Sequence, residues 1–212
     1  MIFNMLAHDR YLRRGASSVI REKMKAIAKK GFPAVARLMR FLFSPWFDPY
    51  YLRGRYFDMS IAGWRWAWRS FIWQKIFGFN RHIPWPVSPW IAISDPKNIK
   101  FDIDDIHNFQ TFGCYFQNFA AQITIGSGSW IAPNVGIITS NHDIDDIDRH
   151  APGRAVLIGS NCWIGMNSVI LPGVVLGDNT VVGAGSVVTR SFPEGNCAIA
   201  GSPARIIRQL PG

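Results

Sequence analysis

In the second half of the chain, apolar residues recur every six positions. From Ile125 the sequence divides into IGSGSW and IAPNVG, then from Ile158 into IGSNCW, IGMNSV, ILPGVV, LGDNTV and VGAGSV. The leading aliphatics are Ile125, Ile131, Ile137, Ile158, Ile164, Ile170, Leu176, Val182 and Val188. The second place is mostly Gly or Ala, and the fifth is small or β-branched. A helix turns about 100° per residue, so a period of six draws no apolar stripe along it. A short strand, a turn at Gly, Asn or Asp, and another strand fit the composition. Such strands bury their leading residues only when successive coils stack, as in a parallel β-helix.

Ile158 follows Ile125 by 33 positions, which is not a multiple of six, so a loop is expected over residues 139–157. Before Ile125 the pattern blurs. Asp104, Asp105 and His107 fit it badly, and residues 91–121 are expected to form imperfect early coils. Farther upstream, residues 16–30 predict a helix with Ile20, Met24 and Ile27 on one side and lysines around it. Residues 33–43 predict a second, with Val35, Leu38, Met39 and Leu42 sharing a face and Ser44-Pro45 as the stop. The division expected is a helical, aromatic extension over residues 1–80 and a solenoid over 81–212, entered through the Pro-rich stretch from His82 to Pro89.

Charge follows the same division. Residues 1–100 hold 18 Lys/Arg and 5 Asp/Glu, net +13, whereas residues 101–212 hold 5 and 9, net −4. With 48% hydrophobic residues and 15 Phe the chain is not a disordered one. Cys114, Cys162 and Cys197 are too few and too far apart for a disulfide scaffold and suit reduced thiols in a cytosolic protein. No signal peptide is expected: Asp9, Arg10, Arg13 and Arg14 follow the short apolar start. Arg65, Arg69 and Lys75 break the one candidate membrane span, residues 61–79. Three roles are open to the basic part: a cap on the exposed end of the β-helix, a peripheral membrane surface with Trp and Lys/Arg, or nucleic-acid binding, disfavoured for want of a recognition module.

The hexads, the loop carrying Asn141-His142-Asp143, the segment Tyr115-Phe116-Gln117-Asn118 and the tail from Gly201 to Arg208 resemble the hexapeptide-repeat acyltransferases, in particular sugar O-acetyltransferases of the galactoside, maltose and colanic-acid type. The resemblance covers about residues 81–210 and implies a left-handed parallel β-helix, a homotrimer, and coenzyme A lying along the coils between neighbouring subunits. It makes His142 the catalytic base, with Asn118 beside it to hold the acceptor. Acetyl transfer from a thioester to a hydroxyl needs such a base, and histidine suits neutral pH. Asn118 also suits a ladder asparagine that caps a coil turn, and Asp143 is a candidate for acceptor binding. The resemblance further points to Trp163, Met166, Ala184, Thr189, Arg190, Arg205 and Arg208 along the coenzyme A path, with Arg forks for phosphate. Trp163 equally suits subunit packing, and Met166 stands where relatives often carry a hydroxyl, leaving only its backbone N–H as an oxyanion donor.

The expected function is therefore acetyl-CoA-dependent O-acetylation of a saccharide or lipid-linked saccharide in surface polysaccharide biosynthesis, with no metal. The expected place is the cytoplasm or the inner face of the membrane. N-acetylation of an amino sugar is the alternative within the class. A noncatalytic assembly protein is a further one, as is a metal hydratase, which would need about three histidines converging on zinc.

Overall fold

The structure is a computed structural model that describes residues 32–211; the helix expected over residues 16–30 lies outside the described residues. Short strands make three sheets. The first holds Ala92–Ile93, Tyr115–Gln117, Gly136–Ile138, Val169–Ile170 and Val187–Val188. The second holds Ile99–Lys100, Ile123–Ile125, Val156–Ile158 and Val175–Leu176. The third holds Trp130–Ile131, Trp163–Ile164, Val181–Val182 and Cys197–Gly201, onto which Ala204–Gln209 folds back antiparallel. All other strand pairings within the sheets are parallel, and apart from that hairpin strands adjacent in sequence lie on different faces, so the chain is a three-faced parallel β-helix.

Register turns the hexad pattern into three interior columns. Ile125, Ile158 and Leu176 stack on the second face, Ile131, Ile164 and Val182 on the third, and Ile137, Ile170 and Val188 on the first. All nine are at most 5% exposed. The fourth place of each hexad, which composition alone marks only as turn-like, proves to be a corner. Asn134, Asn161, Asn167 and Asn179 there have φ between 55° and 60°, and Gly128, Gly173 and Gly185 are also at positive φ. Asn and Gly tolerate this left-handed conformation. The second place is small because coils touch there: a Cβ on Gly165 would lie 2.6 Å from both Val182 O and Ala184 N of the next coil. The fifth place is buried and its hydroxyl is spent on backbone: Ser129 donates to Gly159 O at 2.7 Å, Ser168 to Gly183 O at 3.0 Å and Thr180 to Gly177 O at 2.7 Å.

The acidic run that breaks the pattern is a 3-10 turn, Ile103–Phe109, standing where the third face would have its first strand. Its side chains replace the missing backbone ladder. Asn108 accepts from Ile131 N–H at 2.8 Å and donates to Ser129 O at 2.9 Å, and Asp105 accepts from Gly128 N–H at 2.6 Å. The helical part closes this end. Trp85, Phe47, Leu52 and Phe57 are buried in the same apolar cluster as the coil interior, and Trp85 packs 5.5 Å from Phe109, itself 5.3 Å from Phe116. The buried Gln74 amide donates to Ile83 and Trp85 carbonyls and accepts from Val87 N–H, anchoring the Pro-rich entry. The helix expected over 33–43 spans 32–43 but is turned differently: Ala36 and Phe43 are buried, while Val35, Leu38 and Leu42 face outward. Phe43 packs against Trp64 and Trp68, so the aromatic hole these rings leave, rather than the spacing of Val35, Leu38 and Leu42, decides which side goes inward.

Gly165→Ala is expected to cost about 1–3 kcal/mol, because the contacts are backbone and cannot swing away; a denaturant midpoint equal to that of the parent excludes the tight coil contact. A second expectation concerns His107, whose two ring nitrogens are buried without hydrogen-bond partners. Burial first, then the Arg55 guanidinium, pushes its pKa from 6.5 down to about 4. The unfolded chain takes up this proton and the folded one does not, so stability from this group is unchanged above pH 6.5 and lost as pH falls from 6.5 towards 4. Thermal melts between pH 7.5 and 4.5 should show a smaller decline for His107→Gln than for the parent; identical slopes would contradict the assignment.

Candidate active site

Ile125 and Ile158 are in register although 33 positions apart, fifteen more than separate Ile158 from Leu176. The excess is extruded between Gly136–Ile138 and Val156–Ile158, so the loop ends at residue 155, two positions short of the expected end. Gln117 grips one limb of its neck. The Gln117 Oε1 accepts from Thr139 N–H and Ser140 N–H, both at 3.0 Å, and its Nε2 donates to Ser140 O at 2.9 Å. Ser140 then donates to Ala151 O at 2.8 Å and Arg154 N–H to Thr139 O at 2.8 Å, joining the two limbs.

Beyond the neck the limbs run antiparallel, with His142 opposite His150 and Asp143 N–H donating to Arg149 O at 2.9 Å. The His142 Nδ1 is 2.6 Å from Ile147 O. A carbonyl only accepts, so Nδ1 carries the hydrogen and donates it. The ring is also backed by His150, 4.5 Å away, which in turn meets Phe119 edge-on at 5.2 Å. His142 itself is exposed. The exposed ring is thus oriented by a backbone carbonyl of its own loop.

Asp143 does not hold this ring: its carboxylate accepts from Asp145 N–H at 2.9 Å and shapes the turn. Asn118 is fully buried, and its amide is engaged with one residue, accepting from Asp95 N–H at 3.0 Å and donating to Asp95 O at 2.5 Å. It ties two coils together in the described chain, and the amide that serves the loop is that of Gln117. The residues expected along coenzyme A fall in three places. Met166 and Ala184 occupy matching exposed positions, eighteen apart, at the corner between the third and first faces. Thr189 and Arg190 leave the first face at the corner where the loop also leaves it, with Arg190 over the Phe192 ring. Trp163 points outward from the third face beside Trp130, and Arg205 and Arg208 lie on the strand that folds back there. A three-faced coil turns these groups apart, so one chain does not gather them around a single ligand.

Two contributors escape a sequence reading. Gln117 looks like any strand residue until its coil neighbour is known. Arg154 lies over Gly173, one coil below the loop neck, and adds a second cation to the corner of Arg190. Among the described residues no three His, Cys, Asp or Glu gather as a metal site.

The family model described as bacterial transferase hexapeptide (six repeats) matches residues 155–190, the uninterrupted hexads. Nodulation protein L of Rhizobium meliloti (strain 1021) is 48% identical over 94 residues, 42% of this chain and 51% of that protein. The chain therefore spans about half the length of this curated relative. Among solved structures, galactoside acetyltransferase in complex with coenzyme A matches with a TM-score of 0.53 at 26% identity, over 87% of this chain and 83% of its own. A hexapeptide-repeat-containing acetyltransferase of Vibrio cholerae O1 biovar eltor, complexed with acetyl coenzyme A, matches with a TM-score of 0.51 at 31% identity, over 57% and 66%. Residues 155–190 thus carry the bacterial transferase hexapeptide repeat, and the chain is similar to acetyltransferases built on that repeat.

Gln117→Ala removes three hydrogen bonds at the neck. Hydrogen exchange at Thr139, Ser140 and the loop amides should accelerate at least about tenfold, given roughly 1 kcal/mol net per bond. Unchanged exchange there would remove Gln117 from the loop's support.

Proposed function

We propose that the protein is an acetyl-CoA-dependent O-acetyltransferase acting on a saccharide hydroxyl, with His142 as general base. The observation that carries the proposal is the exposed His142 imidazole with Nδ1–H donated to Ile147 O, on a loop extruded from a hexapeptide coil. The relatives crystallised with coenzyme A and acetyl coenzyme A supply the donor class. In the proposed step Nε2 takes the proton of the acceptor hydroxyl while its oxygen attacks the thioester carbonyl carbon. The new C–O bond forms, the C–S bond breaks, and His142 returns the proton to the departing sulfur. The Ile147 carbonyl steadies the imidazolium between the two transfers. No acyl-enzyme is required, since the hydroxyl is the nucleophile.

The working form in this proposal is a left-handed, trimeric β-helix in which residues 81–212 act as the catalytic unit. Trimer assembly accounts for Trp163, Arg205 and Arg208 facing away from the loop of their own chain: a ligand between subunits would meet the loop of one chain and the third face of another. Arg190 and Arg154 supply cations at the loop corner for phosphate. A surface polysaccharide or its lipid-linked precursor is the proposed acceptor. Three unpaired buried cysteines suit the reducing cytoplasm as the place of work.

His142→Ala should lower acetyl transfer to a sugar panel by about 10²–10⁴-fold, as loss of a positioned base does. Coenzyme A binding by calorimetry should be retained. Full transfer by His142→Ala, or no transfer by the parent to any sugar, lipid-linked oligosaccharide or amino sugar, would sink the proposal.

A further inference from the structure

The outward side of the helix over residues 32–43 carries exposed apolar side chains. Val35, Leu38, Phe41 and Leu42 lie on it, with Phe41 74% exposed. It continues into Trp46 and Trp68, the latter 59% exposed. Beside it runs an open groove of about 330 Å³ lined by Met39, Leu42, Phe43, Trp46, Trp68 and Phe71. Rings floor this groove: Trp46 meets Phe71 edge-on at 4.8 Å, and Trp68 stacks on Phe71 at 6.0 Å. Exposed apolar side chains gathered on one face mark an interaction surface.

Charge identifies the occupant. Residues 32–47 contain no acidic residue, and of their two arginines Arg40 is paired with Asp58 while Arg37 is exposed. Residues 1–31, which lead directly into this helix, hold 8 Lys/Arg and 2 Asp/Glu, net +6. A second copy of the chain would bring the same cations face to face, and would have to bury them. An anionic bilayer does the opposite: it accepts Leu and Phe among its acyl chains, takes Trp at the headgroup level, and attracts each nearby Lys or Arg by about 1 kcal/mol. No helix among the described residues is long and apolar enough to cross a membrane, so the contact is one of lying on the surface. We propose that the face formed by Val35, Leu38, Phe41, Leu42, Trp46 and Trp68 docks in the interface of an anionic lipid bilayer, with Arg37 and the basic residues of 1–31 drawn to the headgroups.

Flotation of the full-length protein tests this with vesicles of phosphatidylcholine alone and with phosphatidylglycerol added. The parent should bind the anionic vesicles, and 0.5 M salt should weaken binding by about tenfold or more as the headgroup attraction is screened. The double substitution Leu38→Ser, Phe41→Ser should weaken it about tenfold or more, since it withdraws two large side chains from the acyl region. Both positions are surface ones, so the melting temperature should be nearly the parent's. Binding unchanged by the pair, equal binding to neutral and anionic vesicles, or no binding by the parent would overturn the proposal. So would a mass measurement in which the pair dissolves a self-association while vesicle binding is absent, which would give the face to a second copy.

Discussion

A flat coil of six-residue sides has to lie one strand spacing above the coil before it, and nearly every local choice in this chain follows from that contact. Strand pairing alone would allow larger residues at the corners. The backbone approach at Gly165 does not, and neither would a corner that had to be turned without Asn167 or Gly185 in left-handed geometry. The fifth-place hydroxyls belong to the same economy. Ser129, Ser168 and Thr180 satisfy carbonyls that a tight corner leaves unpaired, so buried polar groups are there because the coil geometry creates acceptors.

Where the repeat fails, side chains take over its hydrogen bonds. Asn108 and Asp105 stand in for a missing strand, Asn118 bonds both backbone groups of Asp95, and Gln117 joins the coil to the loop. These amides and carboxylates are what lets an imperfect coil sit on a regular stack. They also explain how a regular scaffold presents an exposed histidine with a defined orientation. The loop departs from rigid coils, its neck is clamped at Gln117, and the ring of His142 is fixed at Nδ1 by a carbonyl of its own hairpin. Orientation by backbone leaves the neighbouring carboxylates, Asp143 among them, free to shape the turn.

The helical part obeys a different rule. It has no repeat to satisfy and closes one end of the coil with aromatic bulk. A helix amphipathic in two directions, as residues 32–43 are, is turned by whichever side chain fits the available hole. Phe43 fits between Trp64 and Trp68, and the more regularly spaced Val35, Leu38 and Leu42 are left outside.

By itself the sequence determined the coil: period, interior columns, the place of the extruded loop and the histidine on it. Each of these depends on contacts repeated at constant separation, which appear in one dimension as a pattern. Only the tertiary structure decided what depends on unique contacts between distant segments. These are the pairing of Asn118 with Asp95, the grip of Gln117 on Ser140, the dispersal of the expected coenzyme A residues over separate corners, and the outward face of the 32–43 helix. A pattern records which residues must be inside a repeat; it does not record which single partner a non-repeating side chain will meet.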